Sequence, residues 1–222
     1  MPWVHLGSAI VPGGGELRLM QRGTEFVIMA GRVPLMNSRM SGSEEALARL
    51  SWERVASRPA PHLLVGGLGM GFTLRALLPI ATATTRITIV ELVPEIADWA
   101  RGPLAPIFGD CLGDPRVNLE IADVGAAIRA GTSAFDAILL DVDNGPDGLS
   151  RPGNDRLYSS TGLAAARAAL RPNGVLAVWS TAPDAAFTRR LATAGFAVEE
   201  KMVRERSNGR GARHNIWLAT RR

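Results

Sequence analysis

The chain has 222 residues, 46% of them hydrophobic, and 25 Lys and Arg against 21 Asp and Glu leave it at +4. That length suits one α/β domain with a two-sided core and at most a small appended element. One cysteine, Cys111, and three scattered histidines, His5, His62 and His214, exclude a disulfide framework or thiolate cluster, so no metal is expected.

No apolar run reaches the roughly 18–20 residues of a membrane helix. The opening MPWVHLGSAIVPGGG lacks the basic-then-apolar pattern of a secretory signal. A cytoplasmic protein without a membrane partner is therefore expected. Lys201 is the only lysine, and the arginines are dispersed rather than gathered into one patch, which points away from a nucleic-acid partner.

In chain order, residues 16–36 alternate apolar with polar side chains and break at Arg22-Gly23 and Gly31-Arg32, the pattern of a small antiparallel meander. A helix is predicted from Ser43, with Glu44 and Glu45 in its first turn and Pro59 and Pro61 beyond its end. From His62 onward, short apolar runs alternate with helical stretches, the signature of parallel βαβ units. Strands are predicted at 62–66, 86–91, 117–121, 135–141 and 174–180, with helices near 71–79, 94–101, 123–130, 158–170 and 183–194. Runs 196–204 and 214–219 flank a polar loop and read as a closing hairpin. The predicted division is a β element over 1–42 followed by a Rossmann-like domain over 43–222.

The chemistry concentrates at strand ends. Strand 62–66 runs into Gly66-Gly67-Leu68-Gly69-Met70-Gly71 and then an amphipathic helix, a turn that lets backbone approach a ligand closely. Gly67, Gly69 and Gly71 are spaced GxGxG rather than GxGxxG, which disfavours a pyrophosphate guest. Glu91 ends the next strand and sits where a carboxylate accepts from ribose hydroxyls. Asp123 stands between a strand and a helix, as an N-cap or as an acceptor for an exocyclic amine. Asp141 follows the apolar run AILL, where an idle carboxylate would be costly, and so reads as functional. Asp143 and the turn at Asn144 lie just beyond. Tyr158, the only tyrosine, follows the irregular stretch 147–157, a candidate lid.

The runs DPRVNLEIADVGAAI (114–128), FDAILLDVDNGPDG (135–148) and LYSSTGLAAARAALRPNGVLAVWS (157–180) resemble the spermidine synthase core in the same order. The resemblance implies the class I methyltransferase fold, a mostly parallel seven-stranded sheet behind a small N-terminal β element. It implies a homodimer and the donor decarboxylated S-adenosylmethionine, or S-adenosylmethionine itself. The donor would lie along Gly66, Gly67, Gly69 and Gly71, with its ribose at Glu91 and Leu92 and its adenine at Asp123 and Val124. Asp141 would deprotonate an acceptor amine, with Asp143 and Tyr158 near the chemistry and Glu45 and Asn144 toward the substrate.

Three positions depart from the family pattern. Gly69 stands where the glycine loop usually has an aspartate, Asn144 replaces the second acid of the catalytic loop, and only Glu45 matches the acid of the helix element. Three readings therefore stand side by side: an aminopropyltransferase acting on a small amine, a methyltransferase, and a non-catalytic nucleoside-binding module. Arg204, Arg206, Arg210 and Arg213 in the closing hairpin read as a solvated tip.

Overall fold

The computed structural model of the chain describes residues 1–142, 156–206 and 209–222. Four short antiparallel strands come first, paired in chain order: β1 (Val4–Ile10), β2 (Glu16–Arg22), β3 (Glu25–Ala30) and β4 (Val33–Asn37). The expected meander supplies β2 to β4. β1 is an addition that the alternation pattern does not foresee, because a bulge between His5 and Gly7 breaks it and most of its side chains are exposed. The inner face of this sheet buries Leu17, Leu19, Phe26 and Ile28.

Helix α1 (Gly42–Val55) follows, with Glu44 and Glu45 in the first turn, where free backbone N–H groups favour carboxylates. Leu47, Ala48 and Val55 bury its inner side. The second sheet then forms from β5 (His62–Gly66), β6 (Arg86–Glu91), β7 (Val117–Ile121), β8 (Phe135–Leu140), β9 (Leu170–Ser180), β10 (Phe196–Arg204) and β11 (Arg213–Arg221). Its order is β10-β11-β9-β8-β5-β6-β7; β5 to β9 run parallel, and β11 is antiparallel to both β9 and β10. The fold is thus α/β with a mostly parallel seven-stranded sheet and an N-terminal antiparallel sheet.

The remaining helices are α2 (Phe72–Leu77), α3 (Pro94–Arg101), α4 (Ala105–Phe108), α5 (Val124–Ala130), α6 (Ser160–Ala169) and α7 (Ala185–Thr193). Most are shorter than predicted, because turn residues at each end were included in the periodic runs. The four-residue α4 is too short to show periodicity. β9 starts at Leu170, directly after α6, four residues before the predicted start, and strand 135–141 ends one residue early at Leu140.

Side chains alternate across the large sheet with the two-residue strand period. Leu63, Val65, Ala137, Leu139, Val175 and Ala177 pack toward α1, α2 and the small sheet; Leu64, Ile138, Leu140, Leu176 and Val178 pack toward α5, α6 and α7. The chain runs from β5 outward through β6 and β7, then returns to place β8 on the other flank of β5. That reversal opens a crevice at the carboxyl ends of β5 and β8, the place where such sheets bind ligands.

At the opposite end of β8, Asp136 is 1% exposed and binds three donors: Arg58 Nη1 at 2.6 Å, Arg171 Nη1 at 2.7 Å and the His62 amide at 2.7 Å. It ties the starts of β5, β8 and β9 together. Asp136→Ala is expected to lower unfolding free energy by about 3 kcal/mol, the lower end of the range for a broken buried pair, since both arginines reach water. Urea denaturation checks this; a loss under about 1 kcal/mol would show the cluster to be dispensable.

Candidate active site

The crevice widens into a cavity of about 500 Å³ between the carboxyl edge of the large sheet and the inner face of the small one. Its floor is Gly67, Gly69, Val90 to Val93, Ala122 to Val124, Asp141 and Val142; its roof is drawn from β2 to β4, including Leu17, Ile28, Leu35 and Met36. Met36 crosses directly above the glycine turn. A Cβ on Gly69 would lie 2.7 Å from Met36 Sδ, and φ at Gly69 is +50°. Gly67, at φ +90°, faces the Asp141 carbonyl, which would stand 2.6 Å from any Cβ. Gly67 requires glycine because the obstacle is backbone, whereas at Gly69 the left-handed φ favours glycine and Met36 would have to shift for a side chain.

Glu91 fixes the shape of this turn. It is 6% exposed, and its Oε2 accepts from the Leu68 amide at 2.8 Å while Oε1 accepts from the Val93 amide at 2.9 Å. Burial pushes its carboxyl above the usual range, and the backbone amides partly offset this. Each carboxylate oxygen has lone-pair capacity beyond these single bonds, so the side chain can still accept from hydroxyls in the cavity. Asp123 caps α5, accepting from the Ala126 amide at 2.7 Å, and lies 3.6 Å from Arg129. Both contacts use the same oxygen, and the residue also lines the cavity.

At the other end of the floor, Asp141 Oδ2 accepts from Thr73 Oγ1 at 2.7 Å. Thr73, the second residue of α2, is itself buried, and its hydroxyl also lies 3.5 Å from the Glu44 carbonyl on α1. Glu44 thus reaches the cavity from the helix side, with its Oε2 accepting from Ser43 Oγ at 2.6 Å. Burial pushes Asp141 up to about 6; burial, and then the negative charge of Asp141, pushes Glu44 up to about 7. Among the described residues lining the cavity there is no Lys, Arg or His. Trp179, the penultimate residue of β9, also lines the cavity; its ring stacks on His214 at 4.9 Å and its Nε1 has no hydrogen-bond partner among the described residues.

A family model described as the spermine/spermidine synthase domain matches residues 44–187, well over half of the chain. The chain belongs to the spermine/spermidine synthase family. A polyamine aminopropyltransferase of Mycobacterium tuberculosis (strain H37Rv) is 34% identical over 148 residues, which cover 63% of this chain and 27% of that protein. The chain spans little more than a quarter of the length of this relative. The crystal structure of spermidine synthase from Thermotoga maritima superposes with a TM-score of 0.74 at 18% identity, over 98% of this chain and 73% of the other. A spermidine synthase in complex with the transition-state analogue AdoDATO superposes with the same TM-score of 0.74 at 17% identity, over 98% of this chain and 72% of that one.

Within this family member, the structure brings Gly67, Gly69, Glu91, Leu92, Asp123, Val124 and Asp141 to one cavity. Gly66 ends β5 and Gly71 caps α2, and neither lines it. Glu45 is directed elsewhere: it accepts from Ser41 Oγ at 2.7 Å and borders a separate pocket with Arg49 and Arg75. The acid that α1 gives the cavity is Glu44, one residue earlier, because one helical step of 100° turns its neighbour outward. Tyr158 is 2% exposed and packs edge-on against Phe187, and its hydroxyl stands 3.5 Å from the Val142 carbonyl; it is a core residue beneath the cavity wall. Asp143, Asn144 and most of the candidate lid lie outside the described residues. Glu44, Thr73, Met36 and Trp179 were not anticipated. Trp179 alone had a signal, its place near the carboxyl end of a predicted parallel strand.

Because the fold raises the Asp141 and Glu44 carboxyls, it favours their protonated forms. The stability they contribute is present below about pH 4 and is lost as pH rises through about 6 to 7. Asp141→Asn, which keeps an acceptor for Thr73, should therefore melt several degrees above the wild type at pH 8 and at about the same temperature at pH 4. Thermal melts across that range check the sign, and a variant less stable at pH 8 would contradict it.

Proposed function

We propose that the chain transfers an aminopropyl group from decarboxylated S-adenosylmethionine to a small amine. The observation that carries this reading is the Asp141 carboxylate, which lines the cavity at the switch point of the sheet with one oxygen held by Thr73. The family match and the AdoDATO complex of a structural neighbour support it.

In this reading the nucleoside lies over β6 and β7. Glu91 accepts from the ribose hydroxyls and Asp123 from the adenine amino group. The tail follows the glycine turn over β5 toward β8. The acceptor nitrogen must be neutral to attack the methylene beside the sulfonium, and Asp141 takes its proton. A carboxylate whose pKa is raised toward neutrality is a better base than an exposed one at physiological pH. As the new C–N bond forms, the C–S bond breaks, and the sulfonium leaves as neutral methylthioadenosine. The apolar roof keeps water from the reacting carbon, so most of the rate advantage comes from holding the two partners in line.

Calorimetric titration with methylthioadenosine and with both sulfonium donors, paired with an assay of methylthioadenosine release, tests this. Asp141→Asn is expected to reduce turnover by at least about 100-fold while donor affinity stays within about twofold, as removal of a general base does. Glu91→Gln should weaken methylthioadenosine about 10-fold or more, since it removes a charge-assisted acceptor. Full turnover by the first variant, or unaltered affinity in the second, would contradict the assigned roles; preference for intact S-adenosylmethionine would point to methyl transfer instead.

A further inference from the structure

An aminopropyl donor carries a primary ammonium at the end of its tail, and a buried ammonium requires an anionic partner. The glycine turn offers none. Its residues are Gly66, Gly67, Leu68, Gly69, Met70 and Gly71, and none of them carries an acid. The acids on the cavity wall among the described residues are Glu16, Glu44, Glu91, Asp123 and Asp141. Glu16 is exposed on the roof strand β2, Glu91 clasps two backbone amides, and Asp123 caps α5 over the β7 end. Among the described residues, only Glu44 and Asp141 stand together where the tail ends, and none that lines the cavity is cationic.

Their geometry separates the two roles. Asp141 follows β8 and is fixed by Thr73 Oγ1 at 2.7 Å. Glu44 approaches from α1, over the start of α2, on the side where the glycine turn ends, and Ser43 Oγ holds one of its oxygens at 2.6 Å. Two carboxylates that line one cavity, with no counter-ion among the described residues around it, form a receptor for a cation. We propose that Glu44 anchors the donor's terminal ammonium, supplying from helix α1 the negative charge that the glycine turn lacks, and thereby selects the decarboxylated donor over the intact one. This assignment presupposes the aminopropyl-transfer reading. The intact donor would bring its own carboxylate to the same acidic end, where like charges repel.

Glu44 is thus a positioning and selectivity residue, and binding alone tests it. Methylthioadenosine has the same nucleoside and thioether but no ammonium, so its affinity reports the rest of the site. In calorimetric titrations, Glu44→Gln is expected to weaken decarboxylated S-adenosylmethionine at least about 10-fold, leave methylthioadenosine within about twofold, and shift the preference between the two donors toward the intact one by a similar factor. Equal weakening of methylthioadenosine and the decarboxylated donor would assign Glu44 a structural role and overturn the proposal, as would affinities that do not change. A wild type that binds methylthioadenosine and the decarboxylated donor equally well would also overturn it, with the nucleoside site intact. A wild type that binds none of the three would overturn the functional reading itself. Glu44→Asp should recover part of the lost donor affinity, which a volume effect would not.

Discussion

Everything in the cavity is referred to the Glu91 carboxylate, which joins two loops that leave neighbouring strands. One oxygen holds the amide of Leu68 in the turn after β5, and the other holds the amide of Val93 in the turn after β6. Without this clasp the glycine turn would be a short, side-chain-poor segment with many conformations open to it. With it, Gly67 can press against the Asp141 carbonyl and Gly69 can pass beneath Met36. A buried carboxylate is costly unless its oxygens are hydrogen-bonded, and here the donors are backbone amides that would otherwise need partners of their own. One side chain thus satisfies the loops and shapes the floor.

The opposite end of the floor follows a different logic. Asp141 and Glu44 line the same cavity with hydroxyl partners and, among the described residues lining it, no cation, an arrangement that burdens the folded state at neutral pH. Such local cost is what a preorganised site for a charged substrate entails, and the Asp136 cluster at the far end of β8 shows the contrast. There, two arginines and an amide neutralise a buried aspartate completely. The same strand therefore begins beside a carboxylate held by two arginines, which stabilises the sheet, and leads into one held by a single hydroxyl among the described residues.

Much of this architecture is legible from residue order. Strands 62–66, 86–91 and 117–121 are continuous apolar or alternating runs with sharp polar boundaries, and they appear at those bounds. The strand-end positions of Glu91, Asp123 and Asp141 follow from the same boundaries, since parallel strands deliver their last residues to one edge. What stays hidden depends on contacts between distant segments. β1 is recognisable only through its pairing with β2, because its bulge and exposed face erase the alternation. The choice between Glu44 and Glu45 depends on how α1 is rotated against α2, which Thr73 and the cavity define and the helix sequence does not. Met36 joins the site solely because the small sheet folds over the large one.

Trp179 has a consequence of another kind. Of the five tryptophans in the chain, it alone is among the described residues lining the cavity, with its indole stacked on His214 and its ring nitrogen without a partner among the described residues. Indole emission responds to water, to nearby charge and to stacked imidazole, so this wall residue is an intrinsic optical reporter of the cavity. Filling and emptying of the pocket should register as a change in colour and intensity of the protein's own fluorescence, with no label attached.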